Sequence, residues 1–197
     1  MQNDKKYTVL FVCSSNVCRS PYCEFMLRRM VENDDDLRGK VDVCSSAVFN
    51  RSKSIFPKAV DILKREGFDE SEILAHKPSF KTDKERFENA DVIIGMSRMH
   101  ELLTPRKYRK KYVTLSEAAT GKYSPVPDPF LATSQQSYDK TMQVLKGFVT
   151  HIIYRNNGNG YTVFELNTGD EITCVGTFQS LEEGEILELE GDFTEHA

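Results

Sequence analysis

Apolar and polar positions along this chain change their spacing from one stretch to the next, and each change marks an element. Residues 6–13 (KYTVLFVC) form a continuous apolar run, the pattern of a strand buried on both faces. Pro21 then stands at a first-turn position, and Phe25, Met26, Arg29 and Met30 continue at helical spacing, so strand, short loop and helix follow one another. Residues 41–45 read as a second strand. Residues 57–66 read as a helix with Ala59, Ile62 and Leu63 on its apolar face, stopped by Gly67. Residues 91–96 (DVIIGM) predict a third strand, followed by a helical segment through Leu103. Residues 112–115 predict a fourth strand, and residues 137–148 a closing helix. Buried strands alternating with helices predict an α/β domain whose parallel sheet is covered on both faces.

The pattern changes after about residue 150. Residues 151–155, 161–166, 171–175 and 186–193 are short, partly alternating runs, separated by turn-rich residues 156–160, 168–170 and 182–184. They predict a small all-β module of four strands, and hence two domains, 1–150 and 151–197. Fewer than fifty residues make a marginal core, so this module is expected to lean on the first domain or to self-associate with a partner chain.

Charge sharpens the division. After Arg155 there is no Lys or Arg, and ten acidic residues follow. The rest of the chain holds 26 basic and 20 acidic residues, a net of +6, which suits an anionic substrate. The first apolar run is too short for a signal peptide or a membrane span, so no membrane association is expected. Five cysteines, an odd number with three inside eleven residues, fit a reducing, cytoplasmic setting.

The chemistry concentrates in Cys13-Ser14-Ser15-Asn16-Val17-Cys18-Arg19-Ser20, between the first strand and the first helix. N–H groups at the helix start, and others in a tight loop, make a concavity for an anion. A cysteine at the bottom of that nest is placed to act as a thiolate nucleophile. Arg19 closes the loop, and its planar fork can hold two phosphate oxygens at once. Ser20 can donate a hydrogen bond to the Cys13 sulfur. Far downstream, Asp128 lies between Pro127 and Pro129, which stiffen its loop. A carboxyl group there could protonate a leaving group, although an acidic residue before a proline is also a common turn.

This loop resembles the C-x5-R-S signature of low-molecular-weight protein-tyrosine phosphatases, including the inner Asn16 and the second cysteine, Cys18. The resemblance covers about residues 6–150 and implies a four-stranded parallel sheet, doubly wound. It implies Cys13 as nucleophile, Arg19 as phosphate clamp and Asp128 as general acid, with Ser14, Ser15, Asn16, Val17, Cys18 and Ser20 around the phosphate. Residues 43–47 look like the family's second strand and point to Ser46; residues 73–77 look like its histidine segment and point to His76. The resemblance then implies a hydrogen-bonded network of Asn16, Ser20, Ser46 and His76 that holds the loop open. Asp128-Pro129-Phe130 looks like its late Asp-Pro-aromatic motif, making Phe130 and Phe49 candidate walls for an aromatic ring, if they are not simply core. Cys18 would be the redox partner of Cys13. Two departures stand out. The family usually has Gly where this chain has Ser15, and a Cβ restricts the backbone there, so lower activity is expected. Residues 46–57 also look shorter than usual, which bears on Phe49.

The expected substrate is a phosphotyrosine protein or a small aryl phosphate, hydrolysed through a phospho-cysteine without metal or cofactor. Arsenate reductases of the same fold need two further cysteines after the third strand, and no cysteine lies between Cys44 and Cys174. Protein-arginine phosphatases resemble this chain at Phe130 but typically carry Thr where it has Val17; an apolar Val17 favours an aromatic ester. The tail, from Gly160-Tyr161-Thr162-Val163-Phe164 through Gly191-Asp192-Phe193, resembles part of the OB-like N-terminal domain of RecD-type helicases. OB folds often bind single strands, and Tyr161, Phe164, Phe178 and Phe193 could stack on bases. Ten acidic and no basic residues after Arg155 make nucleic-acid binding by this tail unfavourable.

Overall fold

The computed structural model describes residues 6–131, 135–153, 155–156, 161–167 and 171–177. Its body alternates β1 (Tyr7–Cys13), α1 (Arg19–Asn33), β2 (Val41–Ala47), α2 (Pro57–Arg65), α3 (Glu70–Ala75), α4 (Lys84–Asn89), β3 (Val92–Gly95), α5 (Arg98–Leu103), β4 (Tyr112–Thr114) and α6 (Leu115–Thr120). The helix α7 (Gln135–Ile153) closes it. The four strands form one parallel sheet in the order β2-β1-β3-β4. The chain runs from β1 to one side and then crosses back to the other, so the two crossovers part at the carboxyl end of β1, where Cys13 sits. Such a parting leaves a crevice outside the strand ends, the usual place for a site in an open parallel sheet.

Strand β1 is buried through its last five residues because both of its faces are covered. Val9, Phe11 and Cys13 join one apolar core with α1, α2 and α7. Leu10 and Val12 join a second with Phe87, Ile93 and Tyr108. This alternation is the pleat of one strand serving two cores. Local chemistry sets several boundaries. Pro57 opens α2 and Gly67, at φ 86°, ends its turn. Asp69 caps α3 through the Ser71 and Glu72 N–H groups. Thr114 and Glu117 form a reciprocal capping box on α6. Gly95 is required by space rather than by backbone angle, because a Cβ there would lie 1.9 Å from the Tyr112 hydroxyl.

Beyond the body, β5 (Arg155–Asn156), β6 (Tyr161–Asn167) and β7 (Glu171–Thr177) form an antiparallel sheet in that order. Two of the four strands expected in the tail are therefore found within a residue or two of their predicted bounds. The expectation of a strand from residue 151 is corrected: α7 continues through Ile153, and only Arg155–Asn156 pairs as a strand. Leu145, Phe148, Val149 and Ile152 keep helical spacing across that junction, and the longer period prevails over the β-branched content of the last residues. The expected strand at 186–193, and Phe178 and Phe193, lie outside the described residues. Among the described residues no helix is long and apolar enough to cross a membrane.

Candidate active site

Residues 13–19 wrap the amino end of α1, and their carbonyls are tied away from the centre. Cys13 O accepts from Val48 N at 3.0 Å, and Ser14 O accepts from Phe49 N and Asn50 N at 3.0 and 2.9 Å. Val17 O accepts from Phe56 N at 3.0 Å, and Cys18 O from Tyr22 N at 3.1 Å. His76 Nε2 donates to Asn16 O at 3.4 Å. No peptide among the described residues is cis. In a trans peptide the next N–H points opposite to the carbonyl, so each outward tether turns one N–H inward. The loop is thereby held as a nest of donors above the Cys13 sulfur, to which Ser20 Oγ donates at 3.0 Å. Asn16 supplies the turn at φ 56° and is the sole non-glycine with positive φ among the described residues. Ser15 therefore adopts an ordinary backbone conformation, and its Cβ imposes no left-handed strain on the loop.

Behind the nest lies a buried polar network. Asn16 Nδ2 donates to Ser20 Oγ at 2.9 Å and to Ser45 Oγ at 2.7 Å, and Asn16 Oδ1 accepts from Ser79 N at 2.8 Å. Ser45 donates to the Glu24 carboxylate, which also pairs with Arg28. His76 Nδ1 stands 3.8 Å from Glu24 Oε2. Burial lowers the His76 pKa, against the pull of Glu24 and the Asn16 carbonyl. Asn16, Ser20 and His76 are thus in direct contact, while Ser46 is corrected to an indirect place, linked to Asn16 only through Ser79. Ser46 reaches Ser79 Oγ at 3.4 Å and Ala47 O at 3.5 Å, not Asn16. Neighbouring strand residues face opposite sides of the sheet, so only one of the adjacent serines can meet Asn16, and it is Ser45.

On the other side of the loop a second set reaches solvent. Arg19 Nη2 donates to Asp128 Oδ2 at 2.7 Å and to Ser14 Oγ at 3.2 Å. Ser14 Oγ lies 3.1 Å from His100 Nε2, and Ser97 Oγ lies 3.0 Å from His100 Nδ1. His100 is fully buried; burial and the nearby Arg19 push its pKa down to about 4, so the ring is neutral at ordinary pH. Val126 N donates to Met96 O at 3.0 Å, anchoring the Asp128 loop to the end of β3. Phe130 N donates to Asp128 Oδ1 at 3.1 Å and orients the carboxylate from its own loop. These groups open into a cleft of about 560 Å³ lined by Cys13, Ser14, Ser15, Val17, Cys18, Arg19, Phe49, Asn50, Ser52, Met99, Leu103, Asp128 and Phe130. Phe49 and Phe130 are 59% and 67% exposed, which makes them walls of the cleft and not core. Phe130 also packs on Phe56, with ring centroids 5.5 Å apart.

Cys18 is the N-cap of α1 and lines the same cleft as Cys13. Burial pushes its thiol up to about 12, with the Cys13 and Asp128 charges adding to the effect. The buried Tyr138 hydroxyl and the Arg19 guanidinium act the other way and lower it. Among the described residues no three His, Cys, Asp or Glu side chains converge as metal ligands would. Sequence reasoning missed Ser45, Glu24 and His100. Glu24 had a signal: Ser20, Glu24 and Arg28 recur every fourth residue, one polar stripe on a helix whose next positions, Pro21 to Cys23 and Phe25 to Leu27, are otherwise apolar. His100 had none, since nothing in its spacing ties it to Ser14.

Comparison with known proteins bears on the same residues. A family model described as low molecular weight phosphotyrosine protein phosphatase matches residues 8–156, and one for the OB-fold domain of the ATP-dependent DNA helicase YrrC matches residues 142–197. The chain is similar to the protein-arginine-phosphatase of Bacillus subtilis, 31% identical over 70% of this chain and 91% of that protein. It is similar to the low molecular weight phosphotyrosine protein phosphatase of Schizosaccharomyces pombe, 29% identical over 72% of this chain and 92% of that one. Among solved structures it resembles a mutant of Bacillus subtilis YwlE, with a TM-score of 0.64, 30% identity, and 75% and 96% of the two chains covered. It also resembles a cysteine-to-serine mutant of the YwlE arginine phosphatase with a phosphorylated active-site serine, with a TM-score of 0.63, 29% identity, and 74% and 92% covered.

Proposed function

Starting from a chain that belongs to the low molecular weight phosphotyrosine protein phosphatase family, we propose that it hydrolyses phosphoproteins through a phospho-cysteine at Cys13. The single observation that carries this reading is that Cys13, whose Sγ lies 3.0 Å from Ser20 Oγ, lines the same cleft as Arg19 and Asp128, themselves paired at 2.7 Å. The phosphoryl group enters with its oxygens on the loop N–H groups and on the Arg19 fork, which leaves Asp128 for the phosphate. Cys13 attacks the phosphorus as the thiolate, and the bond from phosphorus to the leaving atom breaks. Asp128 gives its proton to that atom, then takes one from the water that frees phosphate from the sulfur. Ser20 donates to the sulfur when it departs in the second step. In the neighbour whose cysteine is replaced by serine, that serine carries phosphate, which supports covalent transfer at the equivalent place.

The substrate we favour is phosphotyrosine. Val17 lines the cleft with an apolar side chain, and Phe49 and Phe130 flank it, a setting for a flat ring. Phosphoarginine is the second reading, favoured by the similarity to a protein-arginine-phosphatase. Cys18 is assigned as the redox partner of Cys13. With its thiol pushed up to about 12, it traps an oxidised Cys13 slowly at neutral pH and faster as pH rises. Equal thiol rescue of peroxide-treated wild type and Cys18→Ser would remove that role. For the tail beyond α7 we propose an OB-like β module, acting in assembly or on the phosphatase domain and not on nucleic acid. Tight binding of single-stranded DNA by the full chain would overturn this. The working compartment proposed is the cytoplasm.

Hydrolysis of aryl phosphate, phosphotyrosine peptide and phosphoarginine peptide by wild type and Cys13→Ser tests the proposal. Turnover in the wild type, lost in the variant, is expected, with the tyrosine peptide preferred. Full activity in Cys13→Ser would end the mechanism, and a preference for phosphoarginine would exchange the two substrates.

A further inference from the structure

We propose that a basic groove beside the cleft selects substrates whose phosphorylated residue is flanked by a side chain bearing carboxylate or phosphate. This rests on the phosphatase reading above and extends it to substrate choice. The groove has a volume of about 600 Å³ and is bordered by Arg51, Lys53, Lys77 and Arg86, with Asp83 as its acid. Ser52 borders both the groove and the catalytic cleft, so the two hollows share a rim.

The charges there are not all available. Asp83 is engaged by Arg86 Nε at 3.2 Å and by Ser79 Oγ at 3.1 Å, and Arg86 also donates to Ser45 O at 2.6 Å. Arg86 and Asp83 therefore offset one another and tie the groove to the network behind the loop. Arg51, Lys53 and Lys77 remain, and among the described residues no carboxylate pairs with them. Arg51 is held in place: its guanidinium lies 4.6 Å from the Phe80 ring centroid, and Nη2 donates to Thr82 Oγ1 at 2.9 Å. That leaves a pre-set fork with N–H groups to spare, the geometry that recognises carboxylate and phosphate.

The floor is fixed to the catalytic loop. Ala47 N donates to Ser79 O at 3.0 Å and Lys81 N to Ala47 O at 2.8 Å, clipping the Phe80 segment to the end of β2. One residue further, Val48 N holds Cys13 O. An extended peptide advances about 3.3 Å per residue, so a side chain a few positions from the phosphorylated one can cross the Ser52 rim.

The test uses the full chain and phosphotyrosine peptides of one length, flanked on either side by Glu, by a second phosphorylated residue, or by Gln. The wild type is compared with the triple variant Arg51→Ala, Lys53→Ala, Lys77→Ala, with phenyl phosphate as the control. The expected KM of the wild type is about tenfold lower for anionic flanks than for Gln, from several exposed contacts of modest strength. The advantage should shrink as salt is raised and vanish in the triple variant, while phenyl phosphate turnover is unchanged. An advantage for either anionic flank supports the proposal, and the Glu and phospho arms show which source fits better. Equal KM for all flanks, or an advantage that survives in the triple variant, overturns it. If the wild type hydrolyses no substrate at all, the phosphatase reading has failed on its own. Anisotropy of labelled Glu- and Gln-flanked peptides on wild type and triple variant then decides the groove separately, equal affinities being the overturning result.

Discussion

The nest is gripped from two sides by polar assemblies that share residue types and differ in setting. Behind it, Asn16, Ser20, Ser45, Glu24 and His76 are joined within the protein, four of the five nine-tenths buried or more. At its mouth, Ser14, His100, Arg19 and Asp128 form a chain that ends at solvent. Asp128 has 34% of its side chain exposed, against 7% for Glu24. A carboxylate in the first setting is committed, because two of the three partners it would lose, Ser45 and His76, have side chains buried with it. A carboxylate in the second can exchange Arg19 for substrate and water. The difference separates holding a shape from carrying a reaction, and substitutions can be chosen to move one without the other.

The largest effect is expected at Asp128. Asp128→Asn keeps a hydrogen-bonding side chain but cannot deliver a proton, so kcat should fall about 10²- to 10⁴-fold for phenyl phosphate. The loss should be much smaller for nitrophenyl phosphate, whose leaving group needs less help. Melting temperature should hardly change. Equal losses for both esters would take the acid role from Asp128.

Glu24→Gln should reverse that signature. It leaves Arg28 and His76 without their carboxylate in a buried site, costing about 1–3 kcal/mol of folding stability, with Arg28 partly screened by solvent. Urea titration should show a lower midpoint at unchanged slope, while kcat for aryl phosphates falls only a few-fold. A kcat loss as large as that of Asp128→Asn, with stability intact, would merge the two assemblies into one.

The smallest effect concerns His100. Its folded pKa of about 4 lies below the ordinary histidine value of 6.5, so between them the unfolded chain binds the extra proton. Stability tied to this ring is complete above about pH 6.5 and is lost as pH falls towards 4. The loss per pH unit is on the order of 1 kcal/mol. His100→Asn should flatten that part of the stability profile and, by loosening Ser14 from beneath Arg19, raise KM more than it lowers kcat. An unchanged acid limb would mean that another group titrates there.

Which side was legible beforehand follows from how each is encoded. Cys13, Arg19 and Ser20 sit at fixed separations in one strand–loop–helix, so local spacing reveals them. The sheet and its two cores follow from continuous apolar runs, as in β1. Ser45 was confused with Ser46 because a strand alternates faces and two adjacent serines leave the register open. Ser14 and His100 are 86 positions apart and meet only because β1 and β3 are neighbours in the sheet. No period within either element announces that contact. The short helices α3 and α4 carry too few turns to show a stripe, while the caps at Asp69 and Thr114 were readable only once the elements were in place.

The central claim is that Cys13 takes the phosphoryl group covalently, and trapping it is the direct measurement. Wild-type protein mixed with excess nitrophenyl phosphate and quenched in acid within the first turnovers should carry one phosphate on the peptide containing Cys13, found by mass spectrometry. Under the same conditions, Cys13→Ala should carry none. Phosphate on any other residue, or turnover in Cys13→Ala with no phosphoenzyme formed, would contradict the account.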